Sequence, residues 1–521
     1  MRRIEILDTT LRDGAQARGV SFSVEDKLAI AATLDSLGIP LIELGSPATS
    51  PREAEVFRRI DAAGLQNARI CAFGSTRRKG GDAKEDLAPI LAAGAPVAVI
   101  FGKAWLYHVR EVLATTPEEN LRMIEDSVRF LHASGVEVIF DAEHYFDGAA
   151  EDAGYASEVL RTALDAGART AVLCDTNGGT FPDAIAKNTS HAVSLFGDRI
   201  GIHCHDDCGC AVAGAIAAVQ AGAVHVQGTL LGFGERCGNT TLSTLIPDLQ
   251  LKLGYACIPE DCLSGLTFSA RRIADVANIS LNRNSPYVGA NAFSHKAGMH
   301  ADGVVKNTRT FEHIDPALVG NSRHFVTSEL AGRNLILRKL QSAVPGLTKD
   351  SSETQRILDV LKSREKEGYT YEAAEASFEL LALRTVGRCK KHFEMLFYKT
   401  IGEYPAPLDN PAAAIVKVRV DGREAVEAGE GDGPVNALDV ALRRALTQFF
   451  PRLVESYLSD FKVRVLNPEA ATAAVTRVLM TSTDGQNTWS TIGVSGDILE
   501  ACRTALEDAI EYKLMLDEKE N

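Results

Sequence analysis

The sequence predicts an α/β protein: a (β/α)8 barrel of the TIM type, then a helical linker region, then a C-terminal α/β module with an internal duplication. Three observations predict it. Up to about residue 240, helical stretches alternate with short apolar segments, a glycine closes most of the helical stretches, and a polar cluster follows most of the apolar segments.

The apolar segments lie at 4–7, 41–44, 69–73, 97–101, 136–140, 171–174, 200–203 and 224–229, which makes eight strands. Gly38, Gly94, Gly135, Gly167 and Gly222 precede five of them, where a helix C-cap needs a left-handed residue. An open doubly wound sheet usually carries a Gly-rich phosphate loop after its first strand, whereas here Thr10-Leu11-Arg12-Asp13-Gly14 follows. A barrel keeps its active site at the C-terminal ends of its strands. The polar clusters fall there: Arg12 and Asp13, Glu43, Asp141 and Glu143, Asp175 and Thr176, His203 and His205, and 235–239.

The barrel is assigned residues 1–265 and the helical linker 266–403. Within the linker the charged run 362–367 reads as a solvated helix face. The Pro-rich segment Tyr404-Pro405-Ala406-Pro407 opens the terminal module, 404–521. There a strand at 415–420, Asp421-Gly422, Gly431-Asp432-Gly433 and a helix at 435–446 are echoed by a strand at 475–480, Asp484-Gly485, Gly496-Asp497 and a helix at 498–510.

Composition sets limits on function. With 45% hydrophobic and 24% charged residues, the chain reads as an ordinary globular protein. No apolar stretch has membrane-spanning length and the N-terminus has no signal-like core, so the expectation is a cytoplasmic protein with no membrane partner. A net charge of −14 argues against a nucleic-acid surface. The ten cysteines are scattered singly, as small buried hydrophobes would be.

Chemistry concentrates at two strand ends. His203 and His205 alternate onto one strand face, and a carboxylate such as Asp13 from a neighbouring strand completes a divalent-metal site, with the Asn239 amide as a further oxygen ligand. A structural zinc cluster of His203, Cys204 and His205 with Cys208 and Cys210 is the weaker alternative, because alternation turns Cys204 away. Arg12 suits a carboxylate or a developing enolate beside that metal, or a structural ion pair at the barrel mouth. Asp141 and Glu143 share a strand face, which makes Glu143 a candidate acid or base, or part of a charge network with Arg12. His300, in the loop-like segment 295–303, suits proton transfer if that loop covers the mouth. The basic loop 75–81 could meet phosphates or simply be solvated.

These residues resemble a known family. The segment 8–14 followed by Gln16, the segment His203-Cys204-His205-Asp206-Asp207, and Gly234-Glu235-Arg236-Cys237-Gly238-Asn239 look like the signatures of the DRE-TIM metallolyases, in the 2-isopropylmalate, homocitrate and citramalate synthase branch. The likeness covers essentially the whole chain. The segments 309–316, 328–333 and 375–379 resemble the (R)-citramalate synthase subgroup.

The resemblance implies a Claisen-type condensation of acetyl-CoA, as co-substrate, with pyruvate and water. It also implies a divalent metal on Asp13, His203, His205 and Asn239 that chelates the keto acid, with Arg12 helping to polarise the carbonyl and Thr176 on the carboxylate; the mixed nitrogen and oxygen ligands allow Mg, Mn or Zn. Glu143 and His300 would deprotonate the acetyl methyl, His300 from the partner subunit of a homodimer. The linker would cover the active site, and the terminal module would be the regulatory and dimerising domain that takes a branched-chain amino acid. Cys71, Ile100 and Phe101 are the expected pocket lining. Two positions depart from the family pattern: Asp141 stands where relatives can carry an aromatic residue, and Phe311 where they often have Tyr. The competing readings are a synthase for a larger 2-oxo acid, a lyase, and a ligand sensor on a dead barrel.

Overall fold

The computed structural model describes residues 2–279, 281–295, 300, 303–304, 306–325, 347–348, 351–402 and 411–520. The chain divides into two compact units, Met1–Ser294 with Glu312–His324, and His295–Phe311 with Phe325–Asn521.

The first unit is a closed barrel of eight strands in sequential order: β1 (Glu5–Asp8), β2 (Leu41–Gly45), β3 (Arg69–Ser75), β4 (Val97–Lys103), β5 (Glu137–Glu143), β6 (Thr170–Asp175), β7 (Ile200–Cys204) and β8 (His225–Gly228). Every pairing is parallel, and β8 closes on β1 with Leu7 opposite Gln227. The glycines read as helix caps take positive φ, as Gly38 at 81° and Gly135 at 83° show.

Alternation sorts the side chains into two cores. Outward residues such as Ile6, Ile42, Ala72, Ile100 and Phe140 pack against the surrounding helices. Inward residues Leu7, Leu41, Cys71, Val97, Val99, Ile139, Val172 and Cys174 fill the barrel as an apolar plug. Below the plug, His225 and Arg169 bind Glu5 and Arg69 binds Glu137. Gly201 makes room there, since a Cβ at this position would lie 2.9 Å from the His225 ring. Above the plug the inward side chains are polar, and the site is built on them.

In the second unit, the helix Ser352–Lys366 buries Ile357 and Leu361 and leaves 362–367 exposed, as the charge pattern predicts. The duplication is present as two antiparallel sheets. The first orders β9 (Glu394–Gly402), β10 (Ala412–Val420) and β11 (Arg423–Gly431), followed by the helix Pro434–Thr447. The second orders β12 (Tyr457–Val465), β13 (Thr476–Thr483) and β14 (Thr488–Ser495), followed by the helix Ile498–Glu520. Asp421 and Gly422, both at positive φ, make the hairpin turn between β10 and β11. Both opening strands carry a register shift near the start, between Met395 and Phe397 and between Leu458 and Asp460.

The sequence reading misses β9 and β12. Because β9 pairs with β10, the first sheet reaches back before residue 404. The segments 328–333 and 404–407, and residues 296–299 and 301–302 of the 295–303 segment, lie outside the described residues.

Candidate active site

The turn after β1 folds back over the barrel. Asp8 accepts from the Thr10 amide at 2.8 Å, and Thr9 O accepts from the amides of Arg12 and Gly14, each at 3.1 Å. The Thr10 hydroxyl oxygen accepts from the Leu230 amide at 3.0 Å, which ties this turn to the loop after β8. The turn delivers Asp13, 3% exposed, to the end of β7.

His203 and His205 meet it there. The His203 Nε2 lies 3.5 Å from Asp13 Oδ2, and Asp13, His203 and His205 offer ligand atoms all within 4.8 Å of one another. Asn239 is brought alongside by a backbone bridge to His205 and by the Asp206 amide bonding Gly238 O at 2.9 Å. Only glycine fits at 238: φ is 96°, and a Cβ would sit 2.0 Å from Gly232 O. Asn239 donates through Nδ2 to Phe233 O, which leaves its Oδ1 buried with no partner. The His205 Nδ1 is buried and unpartnered too.

Buried, orphaned acceptor atoms beside a carboxylate are what a divalent cation satisfies, and the mixed nitrogen and oxygen set fits one. Burial holds both imidazoles in the neutral form that ligation needs, below the ordinary value for His203 and at about 4 for His205. Among the described residues no other trio of His, Cys, Asp or Glu converges this closely. The alternative zinc cluster does not form: Cys204 faces the outer core, and Cys208 and Cys210 stay outside the trio.

Glu43, Asp13 and Asp141 crowd the same mouth around Arg12. Burial and then the neighbouring Glu43 push the Asp141 carboxyl up to about 8, and burial pushes Asp8 to about 7 and raises Glu43. Burial alone would raise Asp13 as well, but the Arg12 guanidinium outweighs it and that carboxyl is held below its usual range. Arg12 donates through Nε to Glu43 at 2.5 Å and lies 3.7 Å over the Phe73 ring, with Asp13 at 3.6 Å.

The other predicted residues are placed as follows. Glu143 pairs with Lys103 of β4, while Arg12 takes Glu43 and has Asp141 nearby, so of the alternative charge network with Arg12 it is Asp141 that takes part. The Thr176 hydroxyl accepts from the His144 amide at 2.9 Å, and its carbonyl accepts from Arg236, which also clamps Asp207. Cys71 lies in the apolar plug. Phe101 stacks on Phe73 at 5.5 Å between centroids. Ile100 is corrected: adjacent strand residues face opposite ways, and it packs against the helices. The basic loop after β3 is internally compensated, Arg77 by Glu119 and Asp126 and Arg78 by Asp86. In the second unit, His300 is exposed and stacks on Phe311 at 4.2 Å.

Sequence reasoning misses Phe73, Lys103 and Gln227 and gives Glu43 no task. The signal was available in strand parity, since each lies an even number of residues from an inward neighbour. Gln227 accepts from the His203 ring at 2.9 Å and donates to Asp141 at 2.7 Å.

Residues 3–262 match the HMGL-like family, residues 287–368 the homocitrate synthase post-HMGL domain-like family, and residues 372–514 the LeuA allosteric (dimerisation) domain. An (R)-citramalate synthase of Aquifex aeolicus is 47% identical, covering 99% of each chain. One of Synechocystis is 46% identical over 98% of this chain and 96% of that one. A 2-isopropylmalate synthase of Pyrococcus furiosus is 31% identical over 98% of this chain and 99% of that one.

Proposed function

The chain belongs to the (R)-citramalate synthase family, and from that membership we propose that it condenses acetyl-CoA with pyruvate and water to give (R)-citramalate and CoA, at the entry to isoleucine biosynthesis. It is an acyltransferase that converts the acyl group to alkyl on transfer. The observation that carries the site is one arginine fixed beside a buried carboxylate, two imidazoles and an orphaned amide oxygen.

In this reading Asp13, His203, His205 and Asn239 hold a divalent metal, Mg, Mn or Zn, which when bound supplies Lewis-acid polarisation of the keto acid. Arg12, aimed by Glu43 and by the Phe73 ring, holds the keto oxygen as negative charge develops on it. Thr176 binds the pyruvate carboxylate. A methyl proton of acetyl-CoA passes to Glu143 with the help of His300 of the partner subunit. The methyl carbon bonds to C2 of pyruvate as the carbonyl π pair moves onto the keto oxygen, and that oxygen takes up a proton to become the hydroxyl. Water then cleaves the thioester to a carboxylate and releases CoA as the thiol. Phe73, stacked on Phe101, and Cys71 would line the pocket for the methyl group of the keto acid.

The C-terminal module binds a branched-chain amino acid effector and joins two chains in a homodimer; the match to an allosteric dimerisation domain supports this. Cytoplasmic placement suits such a biosynthetic enzyme, and no described helix is long and apolar enough to cross a membrane.

The test is free-thiol release from acetyl-CoA with purified protein and added metal. Pyruvate should give by far the highest kcat/KM, and 2-oxoisovalerate and 2-oxoglutarate little. Equal or better rates with either larger acid would move the assignment to another synthase of the branch.

A further inference from the structure

We propose that Gln227 is a positioning residue for the metal-ligating imidazole of His203, with its side-chain amide locked in one orientation by Asp141. The inference rests on the reading of His203 as a metal ligand.

Gln227 and His203 are direct partners across the β7–β8 ladder, and both point into the barrel. Gln227 is fully buried at 0% exposure, so its amide has no water to bond and depends on what the barrel provides. Two groups are provided. The Oε1 lies 2.9 Å from His203 Nδ1, and the Nε2 lies 2.7 Å from Asp141 Oδ1. Asp141 stands on β5, which is not a neighbour of β8, so this bond crosses the barrel lumen above the apolar plug. A glutamine is long enough to make both contacts at once.

An amide has one accepting end and one donating end. Asp141 takes the donating end, so Oε1 is left for His203, and an oxygen there accepts only if Nδ1 carries the hydrogen. The lone pair of the neutral ring then sits on Nε2, the nitrogen that faces Asp13 at 3.5 Å. With the amide reversed, its NH2 would meet Nδ1, the hydrogen would move to Nε2, and the ring would present an N–H to the ligand set. With Asp141 Oδ1 accepting from its Nε2, Gln227 therefore favours the tautomer in which the bare Nε2 of His203 faces the ligand set. Outer hydrogen bonds of this kind fix ring orientation and raise ligand basicity.

The test uses full-length protein stripped of metal and titrated with Mn2+ under electron paramagnetic resonance, with Asp13→Ala as the control for the site. If the parent does not bind, or Asp13→Ala binds equally well, the metal reading fails before this one is reached. Given binding, Gln227→Leu should weaken Mn2+ by about 10- to 100-fold. Gln227→Glu, which can share one proton with Asp141 and so keep its other oxygen as an acceptor against Nδ1, should bind Mn2+ more tightly than Gln227→Leu. A leucine variant indistinguishable from the parent, or a glutamate variant as weak as leucine, overturns the proposal. Should the leucine variant not fold, histidine-labelled nitrogen NMR of the metal-free parent decides. The His203 signal, assigned by its absence in His203→Gln, should show Nδ1 protonated and Nε2 bare; the opposite tautomer overturns the proposal.

Discussion

Replacing Arg12 by methionine separates the charge of that side chain from its packing. Methionine keeps the apolar contact on the Phe73 ring, 3.7 Å from the guanidinium in the parent, but has nothing to give Glu43 or the keto oxygen. Removing one preorganised donor from a developing oxyanion costs about 2.7–4 kcal/mol, so kcat/KM for pyruvate should fall by roughly 10²- to 10³-fold. Stability should change with pH as well. Glu43 is 0% exposed, its Oε2 is bound to Arg12 and its Oε1 has no partner. An ionised buried carboxylate stripped of its cation costs about 3–5 kcal/mol. Glu43 can escape by taking up a proton, since burial already raises it. A carboxyl raised in the folded state binds more protons there than in the unfolded chain, so the variant loses stability as pH rises. Arg12→Lys, which keeps a charge but not the fork, should fall between parent and methionine. The assays are thiol release and calorimetric melting at pH 6 and pH 9. Activity within tenfold of the parent, or a melting deficit no larger at pH 9 than at pH 6, would refute the reasoning.

Asp13→Ala or His203→Ala should abolish metal-dependent turnover, because each removes one of three converging ligands; full activity with added Mn2+ in either variant would remove the site. His392 donates to the buried Glu511 at 2.8 Å with Glu518 at 3.3 Å, and these carboxylates raise it above its ordinary value. Its contribution is therefore present below about pH 6.5 and is lost as pH rises through the raised folded value. His392→Gln should cost about 1.5–3 kcal/mol at pH 6 and progressively less toward pH 9 in calorimetric melting, and a pH-independent deficit would contradict the pairing. A chain ended at Gly402 leaves β9 without β10 and strips Asp508 from Ser377 and Arg384, so it should aggregate in gel filtration; a monodisperse product would contradict the register described.

The barrel was legible because its two signals are local. Recurring short apolar strands and left-handed glycines at 38, 94, 135, 167 and 222 can be read without knowing what packs where. The convergence of Asp13, His203 and His205 was legible for the same reason, since the two histidines share a face by parity and Asp13 closes a strand end. What the sequence hides is partner choice across the lumen. Glu143 could face Arg12 or Lys103, and only the closed barrel sets β4 beside β5 and so gives it Lys103. Gln227 carries no motif, and its task appears only when β5 and β8 face each other across the lumen. Ile100 cannot line the lumen together with its strand neighbour Phe101, because adjacent residues of β4 face opposite sides. β9 and β12 escaped because they are edge strands, largely exposed, without the alternating burial that marks β10 and β13.

The central claim, that this mouth joins an acetyl carbon to pyruvate, is tested most directly by competition. Protein, metal and acetyl-CoA are supplied with equal pyruvate, 2-oxoisovalerate and 2-oxoglutarate, and the products are resolved by chiral chromatography with mass detection. The account predicts (R)-citramalate as the dominant product, in one-to-one yield with released CoA. A dominant 2-isopropylmalate or homocitrate, or CoA release without any condensed acid, would contradict it.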